Sequence, residues 1–205
     1  MNHREFFNQM APHWDEQVRH DACKLSRIVA ALSLQPGERV LDIGTGTGVM
    51  LPYLRQALGM LGELTAIDVA EEMLARARAK HSELALFLQA DASLLPQAEN
   101  SVDAILCYSV FPHFEQPQTV LREFARVLRS GGRLVVAHGE SRAAINALHE
   151  GLETVGQDRL PEAALHLACI GGNTALQEEI ITHHLIHQCH DEAAMHAVIV
   201  ALMLA

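Results

Sequence analysis

Val40-Leu41-Asp42-Ile43-Gly44-Thr45-Gly46-Thr47-Gly48 is the stretch that decides the fold of this chain. Its first four residues, three of them apolar, read as a buried strand. Three glycines at two-residue spacing follow, a turn that lets main-chain atoms approach a ligand where a Cβ would clash. The helix expected next, over 49–58, carries Pro52 in its first turn and aims its amino-terminal amides at the same point. A second strand, 63–67, runs into Asp68, twenty residues after Gly48. Nucleotide-binding βαβ units place an acid at about that offset to hold the ribose hydroxyls. The stretch therefore points to an adenosine-containing ligand.

The same alternation of strand and helix continues outward, predicting an α/β fold with a mostly parallel sheet and helices on both faces. A helix over 70–80 opens with Glu71 and Glu72, placed to complement the helix dipole. A third strand, 85–89, leads into Gln89-Ala90-Asp91-Ala92, and Val102 to Cys107 forms the fourth. A helix over 117–128 stops at Ser130-Gly131-Gly132, and Arg133 to His138 is the fifth strand. Upstream, Phe6 to Leu32 reads as two helices broken at Ala11-Pro12-His13-Trp14-Asp15. Downstream, Ser141 caps a helix over 142–150 and Pro161 starts another. Residues 177–187 and 195–204 read as two closing, antiparallel strands. No repeat, linker or low-complexity tract interrupts the chain, so one domain is expected.

Composition narrows the partners. At 205 residues and 49% hydrophobic content, one substantial core is expected. Fifteen Lys and Arg against 25 Asp and Glu, with no basic cluster, disfavour a nucleic-acid backbone, whose binding relies on cationic side chains. No run of 18 apolar residues suggests a membrane span. The start, Met1-Asn2-His3-Arg4-Glu5-Phe6-Phe7, lacks a basic-then-apolar leader, so a cytoplasmic location is expected. Cys23, Cys107, Cys169 and Cys189 form no Cys-x-x-Cys pair and are expected to be reduced thiols. Thirteen histidines are the compositional oddity, and they make the net charge of −10 sensitive to pH.

Taken together, the motifs resemble class I S-adenosylmethionine-dependent methyltransferases. Val40 to Gly48 looks like the first motif of that family, and Ala66-Ile67-Asp68-Val69-Ala70-Glu71-Glu72-Met73-Leu74 like the second. Gln89-Ala90-Asp91-Ala92 resembles the segment that brackets the adenine. Ser101 to Leu106 and Leu128 to Leu134 resemble the fourth- and fifth-strand signatures. The opening Phe6-Phe7-x-x-x-Ala11-x-x-Trp14-Asp15 is similar to the start of ubiquinone/menaquinone-type small-molecule methyltransferases. The resemblance implies a seven-stranded Rossmann-like sheet with an antiparallel last strand. Residues 1–35 would form a helical lid, 36–140 the cofactor-binding core, and 141–205 the acceptor-side helices and terminal strand pair.

Spacing separates the possible cofactors. Dinucleotide fingerprints run Gly-x-Gly-x-x-Gly around a pyrophosphate. Here the run is Gly-x-Gly-x-Gly with Asp42 two residues ahead, a poor neighbour for a pyrophosphate and a good one for an ammonium and a sulfonium. A nucleotide-dependent oxidoreductase is thereby disfavoured. A non-catalytic protein that keeps the pocket and senses a metal or metabolite remains a rival. By resemblance, Asp42, Gly44, Thr45, Gly46 and Gly48 would hold the methionine part of S-adenosylmethionine. Asp68 would take the ribose hydroxyls, Val69 and Met73 one adenine face, and Asp91 and Ala92 the adenine edge. Cys107 would contribute a backbone contact.

The acceptor side is less specified. Cys107-Tyr108-Ser109-Val110-Phe111-Pro112-His113-Phe114 lacks the Asn/Asp-Pro-Pro-Tyr signature of enzymes that methylate exocyclic amines of bases or glutamine amides, which argues against DNA and release-factor substrates. His113, His138 and His149 are the candidate catalytic residues; the rival reading of His113 is a side chain that caps the next helix or merely lines the loop. On a helix over 142–150, Arg142, Asn146 and His149 share one face, which is either an acceptor-side stripe or a solvated surface. Tyr108, Arg142, Asn146, His13 and Trp14 are the candidate substrate contacts, the last two from the lid. The three histidines show no ligand spacing, and the denser tail His183-His184-x-x-His187-x-Cys189-His190 reads by default as exposed strand histidines, so no metal is assigned. The expected partner is a small-molecule methyl acceptor, and the chain is expected to be a monomer or homodimer.

Overall fold

The computed structural model describes residues 1–140, 142–150 and 154–159, together with 176–177 and 199–204; Arg142 and the last two segments are described by backbone alone. The helix expected from Pro161, the tail histidines and most of the closing strands lie outside the described residues.

Five parallel strands form the sheet: β1 (Arg39–Ile43), β2 (Glu63–Asp68), β3 (Leu86–Gln89), β4 (Val102–Tyr108) and β5 (Leu128–Ala137). Their spatial order is β3-β2-β1-β4-β5. Registers Ile43↔Ile67 and Ile43↔Cys107 bring the carboxyl ends of the three central strands level. The strand order reverses between β1 and β4, and open α/β sheets bind ligands at the carboxyl edge of such a switch point.

Alternation along the strands builds two cores, because successive side chains point to opposite faces. Leu41, Ile43, Ile105 and Val136 pack with Phe124 and Val127 of a helix over Pro117–Val127. Val40, Ala104, Leu106 and Val135 pack on the other side with two further helices, Ala22–Ala31 and Leu51–Leu58. In chain order the helices are α1 (His3–Met10), α2 (Trp14–Gln17), α3 (Ala22–Ala31), α4 (Leu51–Leu58), α5 (Glu71–His81), α6 (Pro117–Val127) and α7 (Arg142–Glu150). Among the described residues no helix is long and apolar enough to cross a membrane.

Caps explain where the amino-terminal helices begin. Asn2 accepts the Glu5 amide at 2.8 Å while the Glu5 carboxylate accepts the Asn2 amide at 3.2 Å, so α1 starts at His3 rather than at Phe6. Asp21 caps α3 by accepting from the amides of Cys23 and Lys24. The expected break at Ala11–Asp15 is a tight 3₁₀ turn over Ala11–His13 running directly into α2.

The fifth strand corrects the sequence reading. Leu128 is buried and already pairs with Val102, whereas Ala104 pairs with Arg133. Arg129 to Gly132 therefore form an excursion within the strand, with Gly131 in the left-handed region at φ 73°, and do not precede it. His138 falls just past its end.

Candidate active site

A cavity of about 420 Å³ opens at the carboxyl edge of β1, β2 and β4, within the range of small-molecule sites. Its floor is the glycine turn. Gly44 and Gly46 adopt φ values of 67° and 56°, which only glycine takes without strain. A Cβ on Gly44 would lie 2.3 Å from Val110, in the loop after β4, so here the close approach is to protein rather than to ligand. A Cβ on Gly46 would meet nothing within 4 Å; this is the open part of the turn. Gly48 does not line the cavity; its amide closes the turn on the Thr45 carbonyl, and its α-carbon packs against His81 and Ala77 of α5.

Two carboxylates flank the turn. Asp42 is almost fully buried and accepts a hydrogen bond from the Thr45 hydroxyl at 2.6 Å. Burial pushes its pKa up to about 7; the Asp68 charge adds to this and the Thr45 hydroxyl opposes it. Asp68 accepts from the amides of Gly46 and Ala70, each at 2.9 Å. Burial raises its pKa too, against those amides and that of Val69. Thr45, Val69, Met73, Asp91 and Ala92 complete this part of the wall. The donor set fits the cationic methionine portion of S-adenosylmethionine at Asp42 and a hydroxyl pair at Asp68. Cys107, in contrast, is fully buried in the sheet away from the cavity wall, and its thiol is pushed well above its ordinary pKa by burial.

The amino-terminal helices lie across the opening. Phe7 and Trp14 pack on Ala70 and Met73, and Asn2, His3, Arg4, Phe7 and Trp14 all face the cavity. Arg4 donates to Glu71 through two nitrogens at 2.9 Å, and Asp15 accepts from Thr47 at 2.6 Å and from Lys80 at 2.9 Å. His13 is not part of this cover; it is exposed and pairs with Glu16.

On the far side, Tyr108 and His113 line the cavity. The Tyr108 hydroxyl shares a hydrogen bond with His20 Nδ1 at 3.1 Å, and burial lowers the His20 pKa. Helix α7 forms as expected over 142–150, but His138, His149 and Asn146 do not reach the cavity wall. His149 is buried behind it, its ring 4.9 Å from that of His113, and burial holds its pKa below the usual imidazole range. His138 is buried at the end of β5. Sequence reasoning missed His3, Arg4, Phe7, His20 and Asp158. The Asn2-x-x-Glu5 capping box signals a helix at His3, whereas nothing local marks Asp158, which meets His3 and His113 only through the fold.

Comparison with known proteins agrees with this geometry. A family described as a methyltransferase domain matches residues 41–136. A demethylmenaquinone methyltransferase of Renibacterium salmoninarum is 32% identical over 139 residues, covering 64% of this chain and 56% of that protein. A ubiquinone/menaquinone biosynthesis C-methyltransferase of Ectopseudomonas mendocina is 33% identical over 108 residues, 50% of this chain and 42% of that one. The crystal structure of a SAM-dependent methyltransferase from Aquifex aeolicus shares the fold, with a TM-score of 0.69, 22% identity and coverage of 97% and 98%. Over residues 41–136 the chain is thus similar to methyltransferases, and its fold is that of a SAM-dependent methyltransferase. It spans about half the length of the two curated relatives.

Proposed function

We propose that the protein moves the methyl group of S-adenosylmethionine to a small-molecule acceptor by in-line displacement. One observation carries this reading: a single cavity runs from Asp42 and Asp68 to Tyr108 and His113 beneath the α1–Trp14 cover. Such a covered site suits a small acceptor, and the net charge of −10 disfavours a polyanionic one. When bound, the cofactor supplies a methyl carbon already activated by its sulfonium. The chain's own task is then to orient both partners and exclude water.

In this reading Asp42 and the Gly44–Gly46 backbone hold the methionine part, Asp68 the ribose, Val69 and Met73 the adenine face, and Asp91 and Ala92 its edge. Trp14, Tyr108 and His113 border the acceptor. His13, Cys107, His138, Asn146 and His149 have no direct contact in it. We also infer that the sheet extends to seven strands with the last antiparallel. Support comes from the backbone of Ile199–Leu204, which runs antiparallel to β5 with Arg133 opposite Met203, and of Leu176–Gln177 beside it.

Titration calorimetry with S-adenosylhomocysteine, NAD and Zn²⁺ tests the reading. S-adenosylhomocysteine should bind, and Asp68→Ala should weaken it by about 1–3 kcal/mol, the cost of leaving buried hydroxyl donors unpaired. Tight NAD binding without S-adenosylhomocysteine binding would sink the proposal.

A further inference from the structure

Behind the acceptor end of the cavity, three side chains from separate parts of the chain converge. His113 Nδ1 lies 2.6 Å from Asp158 Oδ2, and His3 Nε2 lies 3.0 Å from the same oxygen. His3 comes from α1, His113 from the 3₁₀ turn after β4, and Asp158 from the segment after α7. His3 and His113 line the cavity; Asp158 does not. The carboxylate therefore sits behind the imidazole, on the side away from any bound acceptor. We propose that His113 and Asp158 form a base dyad, with His113 the catalytic residue and Asp158 its positioning residue, and that the acceptor belongs to the protic class: a hydroxyl, thiol or acidic C–H compound. This rests on the methyltransferase reading above.

The chemistry follows from the hydrogen bonds. Burial works to raise the Asp158 pKa, but hydrogen bonds from His113 and His3 outweigh it and hold the group below its ordinary value. An ionised carboxylate only accepts, so His113 donates from Nδ1 and keeps Nε2, on the opposite edge of the ring, as a lone pair. The groups facing His113 are His3 and Phe7 from α1, His149 from α7 and Asp158; Glu115 lies beyond His3. In the transfer, the acceptor atom bonds to the methyl carbon and its proton passes to Nε2. The carbon–sulfur electron pair stays on sulfur, which becomes a neutral thioether. The positive charge lost at sulfur reappears on an imidazolium already paired with Asp158. An acceptor with no proton to lose, such as a tertiary amine or thioether, needs none of this.

The tautomer can be read directly. Nitrogen-15 spectra of the full chain with S-adenosylhomocysteine at pH 8 should show His113 protonated at Nδ1 and bare at Nε2, and Asp158→Asn should abolish that preference. With S-adenosylmethionine, catechol and 2-mercaptoethanol serve as protic probes, and N,N-dimethylaniline and dimethyl sulfide as aprotic ones. Protic turnover is expected to fall about 100-fold in Asp158→Asn, with S-adenosylhomocysteine affinity within about twofold of wild type, the range of a surface change. A His113 protonated at Nε2, or methylation of aprotic probes alone, overturns the dyad while leaving the methyltransferase reading intact. Stoichiometric Zn²⁺ binding that shifts His3 and His113 together would instead assign the cluster to a metal. If no probe turns over, the tautomer alone decides.

Discussion

Asp42→Asn should make the empty protein more stable above pH 7, by about 2–4 kcal/mol, while weakening its hold on the cofactor. The magnitude follows from burial: a carboxyl whose pKa is pushed up to about 7, against about 3.9 when unfolded, carries about 3 units at about 1.4 kcal/mol each. Between about pH 4 and pH 7 the folded chain keeps a proton that the unfolded chain has released, so stability falls as pH rises through that window. Asparagine removes the slope and keeps an oxygen for the Thr45 hydroxyl, which now bonds Asp42 at 2.6 Å. Urea unfolding at pH 4 and pH 8 should give curves that coincide at the lower pH and separate at the higher. A variant less stable than wild type at pH 8 would show that the buried anion is already compensated. In the proposed reading the ligand's ammonium supplies that compensation, so at pH 6.5 binding S-adenosylhomocysteine should release a proton from Asp42. Calorimetry in buffers of different ionisation enthalpy measures that release.

That an unfavourable anion sits at the end of β1 explains why this part of the site is legible in the sequence. Asp42 interrupts an apolar strand and stands two residues before the glycine turn, so its oddity is local. Asp68 and Asp91 mark strand ends in the same way, and strands β1, β2 and β4 are mostly apolar and buried along most of their length, which leaves little ambiguity. Helix α7 was equally legible because its polar stripe has one period. The failures share a different cause. The start of β5 depends on Leu128 pairing with Val102 across 26 residues of chain, and Ser130-Gly131-Gly132 read locally as a stop. Asp158 meets His113 across 45 residues and His3 across 155. No periodicity or spacing encodes such a meeting. His149 and Asn146 lie on the expected helix, but where that helix sits relative to the cavity is set by packing that the sequence pattern does not contain.

Gly44→Ala should destabilise the fold by about 2–5 kcal/mol, and Gly46→Ala by about 1–2 kcal/mol, although the two glycines have similar backbones. Both sit in the left-handed region, at φ 67° and 56°, so each substitution pays a strain of roughly 1–2 kcal/mol. Only at Gly44 does the new methyl collide, 2.3 Å from Val110 Cγ2 and 2.5 Å from its Cβ, and overpacking adds about 1–3 kcal/mol. Combining Gly44→Ala with Val110→Ala should recover part of the loss, because Cγ atoms that cause the closest contact are gone while the backbone strain remains. Urea midpoints for the three variants measure this, and equal losses at Gly44 and Gly46 would rule out the collision with Val110. The two positions should also separate functionally. Val110 stands three residues before His113, so relieving a clash at Gly44 by moving that loop should displace the acceptor side, whereas the methyl of Gly46→Ala projects into open cavity and should act on cofactor affinity. A Gly44→Ala protein that still binds S-adenosylhomocysteine but has lost turnover would place the boundary between the two halves of the site at the contact of Gly44 with Val110.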